Sequence, residues 1–494
     1  MRTTLLLDLT ADSCGDRLAI GPRDAGIDFA RLRNAARAAG KALAEGGAKT
    51  LVFVGLNGAA MPLTLFAAGY AGLPFVPVNY RLTDPELRRL IQRCDTPAVI
   101  IDDDMAHRIA GIDGAAIHRR SAFEAQFLDP DLPEQDVGEE PEQDIAVLLF
   151  TSGTTGDPKA AVLRHSNLVS YVMSTVEFLG ADEAEAALVS VPPYHIAGIS
   201  AVLSASYGGR RIVYLPQFSA DEWVAVAARE GITHAMVVPT MLDRILDAME
   251  RSGESLPALR ALSYGGGRMP EPTIHRAMAK LPQVDFVNAY GLTETSSTIA
   301  LLDGADHRAA FASDDVAVRR RLTSVGRPLP SLELEIRDPE GKICPPGVSG
   351  EIHVRGEQVS GEYLHKSALA GDGWFPTNDA GWLDDAGYLF VEGRLDDVIV
   401  RGGENISPGE IEDVLRSHPA VEDAAVLGLP CDKWGEKVAA AIVCRSQVDE
   451  ETLSAHVRSH LRSTKTPEAW FFRTELPYNE TGKLLRRVLK AELA

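Results

Sequence analysis

Between residues 29 and 267 the chain repeatedly exchanges short apolar, β-branched runs for stretches with apolar residues at helical spacing, and this alternation limits its fold more than any other feature. The runs lie at residues 51–54, 98–101, 145–150, 211–214 and 235–238. Between them, residues 29–43 and 221–228 carry the helical pattern, and Pro239-Thr240 stands where a new helix starts. Continuous apolar strands separated by helices predict parallel sheets covered on their faces, an α/β class. Past a polar stretch at residues 303–320, the runs at 332–336 and 350–354 alternate in polarity, which predicts a more antiparallel, β-rich module. A small α+β unit follows Gly393-Arg394, helical at 410–417 and strand-like at 424–427 and 438–443. The main boundary falls at Leu395-Asp396, giving a large domain over 1–395 and a small one over 396–494.

A chain of 494 residues exceeds what one core supports, in keeping with several units. Its formal net charge of -21 argues against nucleic acid or an anionic membrane as partner, because such surfaces are bound through Lys and Arg. Any phosphate has to be met locally. Cys14, Cys94, Cys344, Cys431 and Cys444 show neither metal-ligand nor redox-pair spacing, which suits a reducing compartment. Leu5 to Leu7 is too short for a signal-peptide core, and the most apolar region, 51–78, is broken by Asn57, Gly69, Gly72 and Pro74. A cytoplasmic protein without a membrane span is expected.

Local phosphate chemistry is offered by Thr151-Ser152-Gly153-Thr154-Thr155-Gly156-Asp157-Pro158-Lys159, directly after the run at 145–150. Glycines admit backbone N–H groups to an oxyanion, hydroxyls add donors, and Lys159 adds a charge. The spacing is neither that of a Walker loop nor that of a dinucleotide fingerprint. Alone, such a stretch is more often a surface loop. Four more clusters stand far apart: Asn288-Ala289-Tyr290-Gly291-Leu292-Thr293-Glu294-Thr295; Thr377 to Gly381 with Gly393-Arg394; Arg394 to Asp397 running into Val400-Arg401-Gly402-Gly403-Glu404-Asn405-Ile406; and Asn479-Glu480-Thr481-Gly482-Lys483. An aromatic can stack on a base, and a carboxylate near phosphates can hold Mg²⁺. Taken singly, each has a plainer reading: Tyr290 as core, Glu294 as a solvated helix start, Asp379 as a turn residue, the glycines as a tight turn, Lys483 as a surface charge.

In this order and over this length the five clusters resemble the signature of the AMP-forming adenylate family, which includes acyl-CoA synthetases, the adenylation domains of peptide synthetases and firefly luciferase. The resemblance runs from Thr151 to Lys483 by motif and extends to the N-terminal region by texture. It implies that Thr151, Ser152, Gly153, Thr154, Thr155, Gly156 and Lys159 hold the ATP triphosphate. Glu294 would hold Mg²⁺ and Thr293 would touch the α-phosphate. Tyr290 would stack on adenine with Gly265, Gly266 and Gly267 on the other face, beside Gly291, and Asn288 would read the exocyclic amine. Asp379 and Arg394 match the ribose pair, and Lys483 matches the lysine bridging substrate carboxylate and α-phosphate. Asp396 matches a hinge, and Gly402 and Gly403 match the wall of a pantetheine tunnel. Ala160 and Asn378 stand where glycine is usual, and Asn tolerates the left-handed turn that position needs.

The activity so implied has two halves: a carboxylate attacks ATP to give acyl-AMP and pyrophosphate, and the thiol of CoA then displaces AMP. Substrate-lining positions by resemblance are His195, Gly198, Gly265, Ala289, Gly291, Ser296 and Ser297, with His195 as gate. Relatives that activate amino acids carry an aspartate just after the gate, whereas here the run is Ile196-Ala197-Gly198-Ile199-Ser200. An uncharged acid is therefore expected, and the small walls suit a medium-chain, alicyclic, aromatic or bulky one. Two other readings stand beside this: transfer to a free-standing carrier protein, and a non-catalytic nucleotide sensor. Pro477 gives P-x-x-x-x-G-K with Lys483, which resembles the site where bacterial acyl-CoA synthetases are acetylated by a lysine acetyltransferase.

Overall fold

The computed structural model describes all residues except 137, 139–140, 152–157, 403, 432, 479–483 and 494. Among the described residues the strands form four sheets. The first has nine strands in the order Arg327–Pro328, Ser297–Leu302, Asp285–Leu292, Ala261–Gly265, His234–Val237, Ala186–Val189, Arg211–Tyr214, Leu18–Ile20 and Ile27–Asp28. From Asp285–Leu292 to Leu18–Ile20 the pairings are parallel, and the edges are antiparallel. The second has eight, in the order Lys366–Ser367, Glu362–Tyr363, Lys159–Arg164, Ile145–Thr151, Phe75–Pro77, Thr50–Val54, Pro97–Ile101 and Ala116–Arg119. Its half from Ile145–Thr151 onward is parallel, but Ile145–Thr151 and Lys159–Arg164 form an antiparallel hairpin around residues 152–157. The alternating sequence pattern is therefore realised as parallel cores, with antiparallel strands at both edges of the first sheet and at one edge of the second.

Thr50–Val54 and Pro97–Ile101 are buried at every position, which is why they read as unbroken apolar runs rather than alternating ones. The helix Ala60–Ala71 is apolar on all sides and buried from Ala60 to Gly69, so it lies inside the molecule. One core joins Leu51, Phe53 and Phe75 of the second sheet to Val189, Val191 and Ile212 around the first. Truncating a ring such as Phe53 there would cost about 3–5 kcal/mol. A polar tie crosses the same seam: the Asn57 amide donates to the carbonyls of Val191 (2.9 Å) and Leu215 (3.4 Å). The helix Phe29–Glu45 begins where the Asp28 carboxylate accepts the Arg31 N–H at 2.7 Å.

The β-rich module is an antiparallel sheet of Glu333–Arg337, Gly350–Arg355, Phe375–Leu383 and Leu389–Arg394. The polar stretch before it folds into two short helices, Gly304–Ala312 and Val316–Arg319, started by the Asp303 and Asp315 side chains. The fourth sheet contains Glu404–Ile406, Ile399–Arg401, Gly435–Cys444 and Val421–Cys431, with Ala469–Arg473 parallel to Gly435–Cys444. It packs on the helix Pro408–Arg416 around its own core, which includes Ile399, Ile411, Leu415, Val426 and Ile442. The result is a large domain of mixed sheets and a small α+β domain. No helix among the described residues is long and apolar enough to cross a membrane.

Candidate active site

The carboxyl ends of parallel strands are the usual place for ligands, and three of the sequence clusters meet there. Asp285–Leu292 leads into a turn of 3₁₀ helix, Thr293–Thr295, which carries Glu294 inward to 9% exposure, not out into solvent. Its backbone carbonyl accepts the N–H groups of Ser360 (2.9 Å) and Gly361 (3.1 Å), and its Oε1 accepts the Tyr363 hydroxyl at 2.6 Å. Tyr363 pairs with Ala161 on the strand Lys159–Arg164, and the Lys159 ammonium lies 5.9 Å from the tyrosine ring centroid. Thr151 is the register partner of Lys159, to whose carbonyl its hydroxyl donates at 3.4 Å. The two ends of this hairpin are thus braced to Glu294 through one tyrosine. Burial, and next the neighbouring carboxylate, push the Tyr363 phenol well up, so it stays protonated as a donor. Ser152, Gly153, Thr154, Thr155 and Gly156 lie outside the described residues.

A second constellation surrounds Tyr290. Its hydroxyl donates to Asp379 Oδ2 at 2.6 Å, while Arg394 Nε lies 3.1 Å from Asp379 Oδ1 and Arg394 Nη1 donates to the Thr377 carbonyl at 3.0 Å. Asp379 and Arg394 are cross-strand partners in the β-rich sheet, so the pair is set by register. Asn378 holds the turn beside them at φ 58°, a conformation asparagine tolerates. Burial first, then Asp379, keeps the Tyr290 phenol protonated. Gly265 registers with Ala289, so its loop through Gly266 (φ 77°) and Gly267 leaves the sheet level with Tyr290. A Cβ on Gly265 would lie 2.4 Å from the Ala289 carbonyl oxygen. The amide of buried Asn288 donates to the Ser324 carbonyl at 2.9 Å.

His195 caps the helix Ile196–Gly208, its ring 4.8 Å from that of Tyr194. A Cβ on Gly198 would meet the Pro192 carbonyl oxygen at 3.1 Å, a tight fit, whereas one on Gly291 would overlap that of Ser297, so Gly291 excludes a side chain. Ser296 and Ser297 turn the chain at φ 58° and 121°, and Ser296 Oγ is shut off from water with no hydrogen-bond partner among the described residues. Thr293 is half-buried in the same 3₁₀ turn as Glu294.

Asp396 is exposed in a 3₁₀ turn, Leu395–Asp397, between the last strand of the β-rich sheet and the first of the small domain. Gly402 takes φ 59° and donates its N–H to the Trp434 carbonyl at 2.8 Å, with the indole 3.0 Å from where a Cβ would be. That indole, 40% exposed, is flanked by Lys433 Nζ at 4.8 Å and the Arg401 guanidinium at 5.3 Å. Gly403 and Lys483 lie outside the described residues. Tyr363 and Trp434 escape the sequence reading. Tyr363 is one aromatic in an ordinary strand, and Trp434, beside Lys433 in the sequence, acquires its second cation, Arg401, only on folding.

No group of three or more His, Cys, Asp or Glu is placed to hold a metal among the described residues. Glu294 offers one buried carboxylate, a hard oxygen donor of the kind that magnesium takes. The arrangement joins a carboxylate and an ammonium beside a Gly/Ser/Thr loop to an aromatic, Asp and Arg set suited to a nucleoside.

Residues 7–364 match the AMP-binding enzyme family, and residues 410–483 match the AMP-binding enzyme C-terminal domain. A 2-succinylbenzoate–CoA ligase of Bacillus cereus is 32% identical, covering 96% of this chain and 95% of its own, and a feruloyl-CoA synthase of Amycolatopsis is 32% identical over 92% and 90%. A fatty acid–[acyl-carrier-protein] ligase of Streptomyces coeruleorubidus is 32% identical over 93% and 89%. The solved o-succinylbenzoate CoA synthetase of Bacillus subtilis with its acyl-adenylate superposes with a TM-score of 0.84 at 30% identity, covering 98% of this chain and 97% of that one. The same enzyme with ATP and magnesium ion gives 0.84 at 29%, over 98% and 99%. The two family models together span most of the chain and the solved relatives share its fold: this chain belongs to the AMP-binding enzyme family and is an acid–thiol ligase of the AMP-forming kind.

Proposed function

We propose that this chain converts ATP and a carboxylate whose acyl portion is otherwise uncharged to acyl-AMP and pyrophosphate, then passes the acyl group to the thiol of CoA, releasing AMP. The observation that carries this reading is the bridge Lys159–Tyr363–Glu294, which links the phosphate-loop hairpin to the buried carboxylate. Thr151, Lys159 and the loop between them would hold the leaving pyrophosphate. Asp379 and Arg394 would receive the ribose hydroxyls, with Tyr290 and the Gly265 to Gly267 loop on the adenine. Glu294 would hold a magnesium ion, which when bound screens the phosphate oxygens. Lys483 would offset the charge that develops as the carboxylate oxygen attacks the α-phosphorus and the bond to pyrophosphate breaks. The thiolate sulfur then attacks the acyl carbonyl and AMP leaves with the bonding electrons.

Lys483 serves the first half and obstructs the second, so the small domain would turn about Asp396 and bring Gly402 and Gly403 to the tunnel. Trp434, Lys433 and Arg401 beside Gly402 supply an indole and cations suited to a nucleotide and its phosphates, which favours CoA as acceptor. An aromatic acid is the favoured substrate within the expected range, since no acidic residue follows His195 and one of the relatives is a feruloyl-CoA synthase. Cytoplasmic placement and acetylation of Lys483 by a lysine acetyltransferase belong to this reading. The carrier-protein relative supports one alternative, a free-standing carrier as acceptor.

Incubation with ATP, Mg²⁺ and a panel of aryl, alicyclic and medium-chain acids, with and without CoA, tests the scheme. Pyrophosphate without CoA and acyl-CoA only with it are the expected results. Pyrophosphate with thioester only on a carrier protein would establish the alternative, and no pyrophosphate with any acid would overturn adenylation. Acetylated protein that makes acyl-AMP at the ordinary rate would remove the regulatory part.

A further inference from the structure

Arg268 directly follows the Gly265-Gly266-Gly267 loop, and its guanidinium forms an ion pair with Asp413 on the first helix of the small domain, Pro408–Arg416. It also lies on Gly409: a Cβ there would be 2.7 Å from Arg268 Nη1. Gly409 and Asp413 are four residues apart, so one helix face offers both the space and the anion. We infer that Arg268 is a positioning residue, and that its pair with Asp413 latches the small domain in this orientation, the one that serves acyl-AMP formation. The inference rests on the two-step reading above.

The assignment to the first half-reaction follows from exposure. Were the Gly402 hairpin inserted toward the acyl group, its residues would be covered by the large domain. Instead Val400 is 49% and Trp434 40% exposed, and Gly402 faces solvent. The latch is also weak enough to release. Arg268 and Asp413 keep 34% and 29% side-chain exposure, so the pair is partly screened. Asp413 Oδ1 is shut off from water with no hydrogen-bond partner among the described residues, which costs part of what the pair contributes. The guanidinium sits at a helix N-terminus, where the helix dipole opposes a cation. Glu412 and Arg416, on the same helix, are the other charges acting on Asp413. Removing the two partners is therefore unequal. Loss of Arg268 strands a part-buried carboxylate, whereas loss of the Asp413 charge leaves an arginine that reaches water.

The two half-reactions are measured separately on the full chain, as pyrophosphate exchange and as thioester formation from supplied acyl-AMP. Small-angle scattering of the same samples reads domain orientation without using activity. Arg268→Ala is expected to slow acyl-AMP formation about fivefold, to leave thioester formation unchanged or faster, and to change the scattering profile. Asp413→Asn should do the same more weakly, and Arg268→Glu with Asp413→Lys should restore the ratio of the two rates. Equal loss in both half-reactions with an unchanged profile would overturn the latch. If the unaltered protein released no pyrophosphate, the two-step reading would fall, and identical profiles for it and Arg268→Ala would overturn the latch separately.

Discussion

The corner around Glu294 and Asp379 and the joint to the small domain are built in opposite ways. In the corner each of these residues is held at more than one point: Glu294 by Ser360 and Gly361 at its backbone carbonyl and by Tyr363 at its carboxylate, and Asp379 by Tyr290 and Arg394 at its carboxylate. At the joint the bonds are single and polar, as in Arg268 with Asp413 and the Ser407 hydroxyl donating to the Glu392 carbonyl at 2.9 Å. Groups that meet developing charge gain from being pre-set, since reorganisation during reaction is avoided. Under the proposed two-step scheme the joint would separate twice per turnover, and such a surface gains from being weak. The difference shows where this chain spends rigidity.

Breaking the division of labour outright should give the largest effect. Lys483→Ala is expected to slow acyl-AMP formation by about 10²–10³-fold and to spare thioester formation from supplied acyl-AMP. Gly403→Leu should do the reverse, and equal damage to both steps by both variants would show that the domains do not alternate.

A second prediction concerns the rigidity of the large domain. His165 is buried, its Nδ1 accepting the Thr3 N–H at 3.2 Å, and burial pushes the imidazole down to about 3. Folding therefore favours the neutral ring. The unfolded chain takes up a proton near pH 6.5 and the folded one near 3, so this contribution is complete above 6.5 and lost as pH falls through that window. The loss is about 1.4 kcal/mol per pH unit at its steepest. Thermal unfolding of the unaltered chain should shift to lower temperature from pH 6.5 to 4.5, and His165→Asn should flatten that dependence. Parallel curves would show that His165 does not set it.

The smallest effect sharpens the comparison inside the corner. Tyr363→Phe removes one hydroxyl and keeps the ring, so acyl-AMP formation should fall about fivefold, mostly through KM for ATP with magnesium. Thioester formation should hold. A loss confined to kcat would place Tyr363 at the reacting atoms instead.

How much of this was legible beforehand depends on the range over which each residue acts. Runs such as 98–101 predicted their strands because burial on both faces leaves no polar position. The clusters at Thr151, Tyr290, Asp379 and Arg394 were legible because their chemistry is local, even though their partners are far away. Tyr363 was not, since it acts on Glu294 69 positions away and on Lys159 across a sheet edge. Arg268 was missed for the same reason, because nothing near it in sequence announces Asp413. The stretch at 303–320 looked like a polar divider, yet Asp303 and Asp315 cap helices within it, a signal present in the letters. Glu294 read more readily as a solvated helix start, because burial of a carboxylate depends on the strand that closes over it.

Asn57 carries a consequence of another kind. Its amide spans the seam between the two large sheets, and the next residue is Gly58. An Asn-Gly step is chemically prone to cyclise and deamidate, since the glycine offers no side chain to hinder attack by its own backbone nitrogen. At 3% exposure the fold guards this bond. Heat that opens the seam exposes it, and the resulting carboxylate would face two carbonyl oxygens where a donor stood. Damage there would be written into the covalent chain, so repeated heating would progressively lower the fraction of molecules able to refold.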